Sequence, residues 1–381
     1  MTAPVDRVTA LDWLETAAAA RERAGLTRPL RPRAAGDGIL DLASNDYLGL
    51  GQHPEVVAAA EAAVRRWGAG STGSRLVTGS TALHQELEGA LADFCGAEAA
   101  LVFSSGYTAN IGAITALADP DTLIVSDASN HASIVDGCRL SRARTVIAPH
   151  LDVASVDRAL ATRTQTRALV VTDAVFSTDG DLAPLAALHE VTRRHGALLL
   201  IDEAHGLGVR GRGGRGLTYE HGLAAQPDVV RTVTLSKSLG SQGGAVLGGR
   251  LVIEHLVNTA RSFIFDTGLA PAAAGAALAA LQVLRREPQR AVAVLARADR
   301  LAALTGAPTP TSAVVSVILG RNEAAVATAQ ACLERGIRVG CFRPPSVPPG
   351  TARLRLTARA TLTDADLDRV RDVFGQLSLL R

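Results

Sequence analysis

The chain has 381 residues, 47% of them hydrophobic and 20% charged, with 39 basic residues against 37 acidic ones. That apolar content and near-neutral balance exclude a disordered chain, and no dense basic block offers a surface for nucleic acid. No apolar run reaches the ~18–20 residues that a bilayer span needs.

Met1–Leu14 contains no basic stretch followed by an apolar one, so no secretory leader is expected. Cys95, Cys138, Cys332 and Cys341 form no C-x-x-C pair, which fits a reducing, cytoplasmic compartment. A first helix is predicted over about Thr9–Ala24, followed by a Pro/Arg-rich connection at Pro29–Arg33. A second helix starts at Pro54 and stops at Gly68, and a third covers Ala82–Cys95. Apolar strands are then predicted at Ala99–Phe103, Leu123–Val125, Thr145–Ala148, Ala168–Thr172, Ala197–Ile201 and Val229–Leu235. Helices alternate with them at Ala109–Leu117, Ala132–Leu140, Val153–Ala161 and Leu185–His195. This rhythm predicts an α/β fold with a mostly parallel central sheet covered on both faces. A long helix is expected over Pro271–Arg286. Beyond it come strands Val314–Leu319, Ile337–Cys341 and Arg353–Thr357, with helices Glu323–Glu334 and Asp364–Phe374. The expected division is a helical segment over 1–44, an α/β domain over 45–284 and an α+β domain over 285–381.

Of the 39 basic residues, 38 are arginine, and the single lysine is Lys237. Arginine stays protonated and forms no imine, so an isolated lysine in such a chain is a candidate for amine chemistry. It follows the strand Val229–Leu235 directly, with Thr234, Ser236 and Ser238 as nearby hydroxyls. Asp202 ends the apolar run Ala197–Ile201, where a carboxylate is costly unless it meets a cation or a strong donor. His205 lies three residues on. Asp-Glu-Ala-His also occurs in nucleotide-driven motors, but the lysine lacks the glycine-rich phosphate loop those motors need. Gly206 to Gly216 matches the dinucleotide fingerprint by letter only, because it does not open a helix directly after its strand. His131 and Ser133 start a helix after another strand. Ser104-Ser105-Gly106-Tyr107 starts one more, where backbone N–H groups suit phosphate. The nine histidines show no H-x-x-x-H spacing, so no metal site is expected. A phosphate site, an imidazole, hydroxyls, a carboxylate and one lysine, all beyond strand ends, suit a phosphorylated aldehyde such as pyridoxal 5′-phosphate (PLP).

At these residues the chain resembles the α-oxoamine synthases, a group of fold-type I PLP enzymes within the class-II aminotransferase family. The matching segments are SNDYLGL (Ser44–Leu50), GSRLVTG (Gly73–Gly79), SSGYTAN (Ser104–Asn110), HAS (His131–Ser133), DEAHGLGVRGRGGRG (Asp202–Gly216), TLSKSLGSQGG (Thr234–Gly244) and RPPSVPPGTARLRLT (Arg343–Thr357). The resemblance runs from about Arg28 almost to the end of the chain. It implies that Lys237 holds PLP as the internal aldimine, Asp202 pairs with the ring nitrogen and His131 stacks on the ring. It further implies that Ser177 and His205 contact the ring oxygen, while Gly106, Tyr107 and Thr234 hold the phosphate. Thr267 is expected to reach the phosphate of a partner subunit in a homodimer. Arg355 is expected to take the amino acid carboxylate, with Arg28, Asn45, His131 and Ser346 contacting substrate. Position 346 is commonly threonine in this group, and serine keeps the hydroxyl while losing a methyl.

The C-terminal segment is most similar to members that serve biotin biosynthesis. The implied reaction is decarboxylative condensation of L-alanine with pimeloyl-CoA, or a pimeloyl carrier protein, to 8-amino-7-oxononanoate. A sister activity using glycine or serine with another acyl-CoA is the nearest alternative. A non-enzymatic binding module and an NAD oxidoreductase are the readings from other classes.

Overall fold

Strands buried along nearly their whole length need cover on both faces, and that requirement shapes most of this chain. The computed structural model describes residues 9–377; the ends of the expected first and third segments, 1–8 and 378–381, lie outside the described residues. The chain begins with α1 (Asp12–Arg23), the short strand β1 (Leu40–Leu42), α2 (Pro54–Trp67) and α3 (Ala82–Cys95). The alternating part follows as β2 (Ala99–Phe103), α4 (Gly106–Leu117), β3 (Thr122–Asp127), α5 (Ala132–Ser141), β4 (Arg144–Ala148), α6 (Val153–Ala161), β5 (Arg167–Asp173), α7 (Leu185–Arg194) and β6 (Leu198–Asp202). A glycine-rich loop and the single-turn α8 (Leu217–Glu220) lead to β7 (Val229–Thr234) and β8 (Gly244–Gly248). Helices α9 (Arg250–Thr259), α10 (Arg261–Ile264) and the long α11 (Pro271–Arg286) and α12 (Gln289–Thr305) come next. The chain closes through β9 (Val314–Gly320), α13 (Asn322–Glu334), β10 (Ile337–Phe342), β11 (Ala352–Thr357) and α14 (Asp364–Gln376).

Seven strands form one sheet in the order β2-β8-β7-β6-β5-β3-β4. Strands β3 to β7 run parallel to their neighbours, and β8 alone runs against both β2 and β7. Side-chain alternation splits the buried residues between two faces. Val102, Val233, Ala245 and Leu247 pack with α3 and α11 through Leu87, Leu91, Leu281 and Leu284. Leu101, Phe103, Leu169, Leu200 and Val246 face the other way, onto Ile114 of α4, Ile134 of α5 and Leu256 of α9. Both faces are thus dry, as the apolar strands require.

A second sheet of four strands has the order β1-β10-β11-β9, with a core shared by Leu301 of α12 and Phe374 of α14. Strand β1 comes from the N-terminal part of the chain and pairs parallel to β10. The observed elements include β1, β8, α9 and α12, which the sequence pattern did not announce. β1 has only three residues and β8 is Gly-Ala-Val-Leu-Gly, so neither carries enough alternation to register. Helix α4 starts three residues before its expected start, because Ser105 caps it by accepting from Thr108 N at 3.1 Å.

Small residues set the closest helix contact. A Cβ on Gly275 of α11 would lie 2.8 Å from Ala63 Cβ and 2.9 Å from the Ala59 carbonyl of α2. Gly275→Leu is therefore expected to force the two helices apart and destabilise the fold by at least about 1–3 kcal/mol, read as a lowered denaturation midpoint with unchanged steepness.

Candidate active site

The register of the parallel strands sets Asp173 of β5 beside Asp202 of β6, and Asp202 beside Thr232 of β7. Both aspartates end their strands, where open α/β sheets hold ligands, and Thr232 lies two residues before the end of β7. Both carboxylates are buried, Asp202 to 4% and Asp173 to 2% exposure. Asp202 Oδ2 accepts from Asn110 Nδ2 at 2.7 Å, and its Oδ1 accepts from Ala204 N at 2.8 Å. Asp173 receives the backbone N–H of His131 at 2.7 Å. Burial, together with the neighbouring Asp202, pushes the Asp173 carboxyl well above the usual carboxylate range.

Lys237 lies three residues beyond the end of β7. Burial lowers its pKa to about 8, against the pull of Asp202 and Asp173; the Arg355 guanidinium adds to the lowering. His131 caps α5, with its Nδ1 2.7 Å from Ser133 Oγ. Burial and the nearby Lys237 lower its pKa, outweighing the opposite effect of Asp202. His205 is buried, and desolvation, Lys237 and Arg355 drive its pKa well below the usual imidazole value. Both rings are therefore neutral at pH 7.

A second cluster closes around His205. Its Nδ1 bonds the hydroxyl of fully buried Tyr47, whose pKa burial raises to about 12. Arg355 Nη2 donates to Asn45 Oδ1 at 2.8 Å and to the Tyr47 hydroxyl at 3.4 Å. Arg355 Nε is buried with no partner among the described residues. Its neighbour but one on β11, Arg353, pairs with Asp179 in the turn that follows Ser177. Asp181 in the same turn bonds His150 Nε2 at 2.7 Å, and Asp127 bonds His150 Nδ1 at 2.8 Å. Ser177 itself is half-buried. A cleft of about 560 Å³ opens between this turn and the loop Pro344–Pro349, which carries exposed Ser346. Arg28 reaches that loop through the Pro344 carbonyl at 2.9 Å.

On the other side of Lys237, Thr234 Oγ1 lies 2.7 Å from Ser236 Oγ. Gly106 opens α4 against Thr234: a Cβ there would meet Thr234 Cβ at 3.1 Å, and one on Gly244 would lie 2.5 Å from Gly106 Cα. At Gly244 only glycine permits so close an approach of β8 to the start of α4. Tyr107 follows, with its ring exposed and its hydroxyl donating to Asp136 of α5. Thr267 is exposed and bridges to Ser74, away from these clusters within the chain. No group of three or more His, Cys, Asp or Glu that could hold a metal occurs among the described residues.

Most expected site residues thus fall into two linked clusters around Lys237, with Thr267 and the Tyr107 phenol outside them. The sequence gives no role to Asn110, Tyr47 or Thr232, and it marks Asp173 only as the start of the loop Asp173–Ser177 beyond the strand Ala168–Thr172. Asn110 carried a signal: it is a polar residue in the apolar helix GYTANIGAITAL, buried to 2%. Tyr47 and Asp173 carried none beyond lying next to chemistry.

The residues present fit a phosphorylated pyridine aldehyde. They offer one amine of lowered pKa, a buried carboxylate held by two donors and a neutral imidazole. The helix start, with the hydroxyls of Thr234 and Ser236, supplies donors for phosphate.

The family described as "Aminotransferase class I and II" matches residues 37–374. An 8-amino-7-oxononanoate synthase from Mycobacterium sp. (strain JLS) is 66% identical over 368 residues, 96% of each chain. One from Mycobacterium tuberculosis (strain ATCC 25177 / H37Ra) is 64% identical over 95% of this chain and 94% of its own length. Among solved structures, Sphingomonas wittichii serine palmitoyltransferase superposes with a TM-score of 0.90 at 32% identity, covering 99% of this chain and all of its own. A serine palmitoyltransferase described with a PLP internal aldimine gives 0.89 at 31%, covering 99% and 100%. The 8-amino-7-oxononanoate synthase of Francisella tularensis gives 0.76 at 25%, covering 90% and 98%. The chain belongs to the class I and II aminotransferase family and, within it, groups with the 8-amino-7-oxononanoate synthases.

Proposed function

We propose that this protein holds PLP on Lys237 and condenses L-alanine with pimeloyl-CoA or a pimeloyl carrier protein. The products are 8-amino-7-oxononanoate, free thiol and CO2, and the reaction is a step of biotin biosynthesis. The observation that carries the reading is the chain's single lysine, buried among Asp202, Asp173 and Arg355 at the end of β7. When bound, PLP supplies an aldehyde for amines and a ring that draws electrons from the amino acid α-carbon.

The rest is work for this chain's residues. Lys237 Nζ, neutral for much of the time near pH 8, anchors the aldehyde and then takes and returns the proton at the α-carbon. Asp202, held in place by the donors Asn110 and Ala204, would face the ring nitrogen. His131 would cover one ring face, and Ser177 and His205 would meet the ring oxygen. Gly106, Tyr107 and Thr234 hold the phosphate, with Thr267 of the partner subunit. Arg355 takes the alanine carboxylate; its buried Nε without a partner supports this. Asn45 sits beside it for the acyl group, and Arg28 and Ser346 border the cleft through which the acyl donor enters.

A cytoplasmic homodimer is part of the reading. The four cysteines are free, and no described helix is long and apolar enough to cross a membrane. Around Thr267, Leu76, Val77 and Phe265 are 52%, 78% and 70% exposed, an apolar patch suited to a second copy.

A sister activity has one observation in its favour, the higher TM-score of the serine palmitoyltransferases. Identity of 66% against 32% outweighs it. Thiol release by PLP-loaded protein, with alanine, glycine and serine against pimeloyl-, acetyl-, succinyl- and palmitoyl-CoA, decides between them. Release confined to alanine with pimeloyl-CoA is expected; release with serine and palmitoyl-CoA would move the enzyme to the sister activity.

Lys237→Ala is expected to abolish turnover and the covalent PLP absorption band. In the unaltered protein the sign of the pH effect follows from the lowered pKa: only the neutral amine attacks an aldehyde. With a pKa of about 8, the PLP loading rate should rise about tenfold from pH 7 to 9 and then level off. A lysine of ordinary pKa would show no plateau before about pH 10. For the dimer, Leu76→Asp combined with Val77→Asp should yield monomers in sedimentation and weaken PLP retention, because the phosphate loses Thr267 of the partner subunit.

A further inference from the structure

Asn110 is placed at the fifth position of α4, and its side-chain amide reaches three different elements. Nδ2 donates to Asp202 Oδ2 at 2.7 Å and to Ser133 Oγ at 2.8 Å, while Oδ1 accepts from Thr232 Oγ1 at 2.6 Å. Both amide hydrogens are engaged. The reverse orientation would set the amide carbonyl against a carboxylate oxygen, acceptor against acceptor, so an ionised Asp202 fixes the amide in the orientation seen. This has a consequence one bond further on. Ser133 Oγ receives a hydrogen from Asn110 and lies 2.7 Å from His131 Nδ1, to which its own proton is free to turn. The Ser133 backbone N–H is directed at the same nitrogen, at 3.3 Å. Two donors converging on Nδ1 leave no place for a hydrogen there, so the neutral ring carries its hydrogen on Nε2.

We propose that Asn110 is a positioning residue that ties Asp202 to His131 through Ser133, holding the carboxylate in place and fixing the imidazole as the Nε2–H tautomer. The network joins α4, α5, β6 and β7, so the residue beneath the ring nitrogen and the residue on the ring face are set by one buried amide. A neutral ring of fixed tautomer stacks without adding positive charge beside the protonated pyridine, and its remaining hydrogen is held toward one side only.

The inference rests on the assignment of Asp202 and His131 to the cofactor, but its first readout does not need the cofactor. Full-length protein labelled with ¹⁵N-histidine is examined by long-range ¹⁵N–¹H correlation without and with PLP, the His131 signals being identified by their loss in His131→Gln. The unaltered chain should show a single Nε2–H tautomer. Ser133→Ala and Asn110→Leu should each give a mixture with hydrogen on both nitrogens. PLP titration should then show affinity weakened about tenfold or more in Asn110→Leu, where Asp202 also loses a donor, and less in Ser133→Ala. If Asn110→Leu does not fold, Ser133→Ala carries the tautomer test alone. An unchanged Nε2–H signal in the variants overturns the proposal. An unaltered chain with the Nε2–H tautomer that fails to bind PLP would overturn the cofactor reading instead and leave the network standing.

Discussion

Two carboxylates side by side in a dry place are the constraint around which this site is arranged. The register of β5 against β6 makes Asp173 and Asp202 neighbours, and the apolar strands behind them exclude water. Two like charges at such a position repel each other and lose their hydration, so the pair is tolerated only if one is neutralised and the other receives strong donors. The structure does both. Asp173 is pushed toward its protonated form, while Asp202 collects the Asn110 amide and the Ala204 N–H. The positive side of the balance, Lys237 and Arg355, comes from two different sheets. The site therefore exists only when the two sheets are packed together.

That origin explains what was legible in the sequence and what was not. Lys237 stood out because it is alone among 38 arginines, and Asp202 because it ends an apolar run. Such signals are local, since each needs only a few neighbouring letters. The parallel strands were equally legible, for short apolar runs such as Ala197–Ile201 and Ala168–Val171, alternating with helical stretches, leave few other structures open. Partnerships across the fold were not. Nothing near Tyr47 announces that its hydroxyl meets His205, 158 positions away, or that Asn110 meets Asp202, 92 positions away. These contacts depend on how α4 and the loop after β1 sit over the strand ends, which is a property of packing. The three-residue β1 shows the same limit: its pairing is decided by β10, almost 300 residues later.

Resemblance to a known group supplied roles, and geometry supplied the reasons for them. The glycine that opens β8, Gly244, is required because a Cβ there would lie 2.5 Å from the backbone of Gly106 at the start of α4. The histidines are neutral because burial and nearby cations make their charged forms unfavourable. Glu203, next to Asp202, has a different task. Its buried carboxylate accepts from Leu217 N at 3.1 Å and from Thr218, fastening the glycine-rich loop to the end of β6. The letters that imitate a nucleotide motif are thus a hinge pin for that loop.

Strand β11 holds Arg353 and Arg355 two residues apart, on one face of the small sheet. Arg353 grips the turn that bears Ser177, and Arg355 grips Asn45 and Tyr47. The strand therefore works as a rigid crossbar with two handles, spaced by the pleat. An insertion of one residue between them would turn one guanidinium to the opposite face and release its handle altogether.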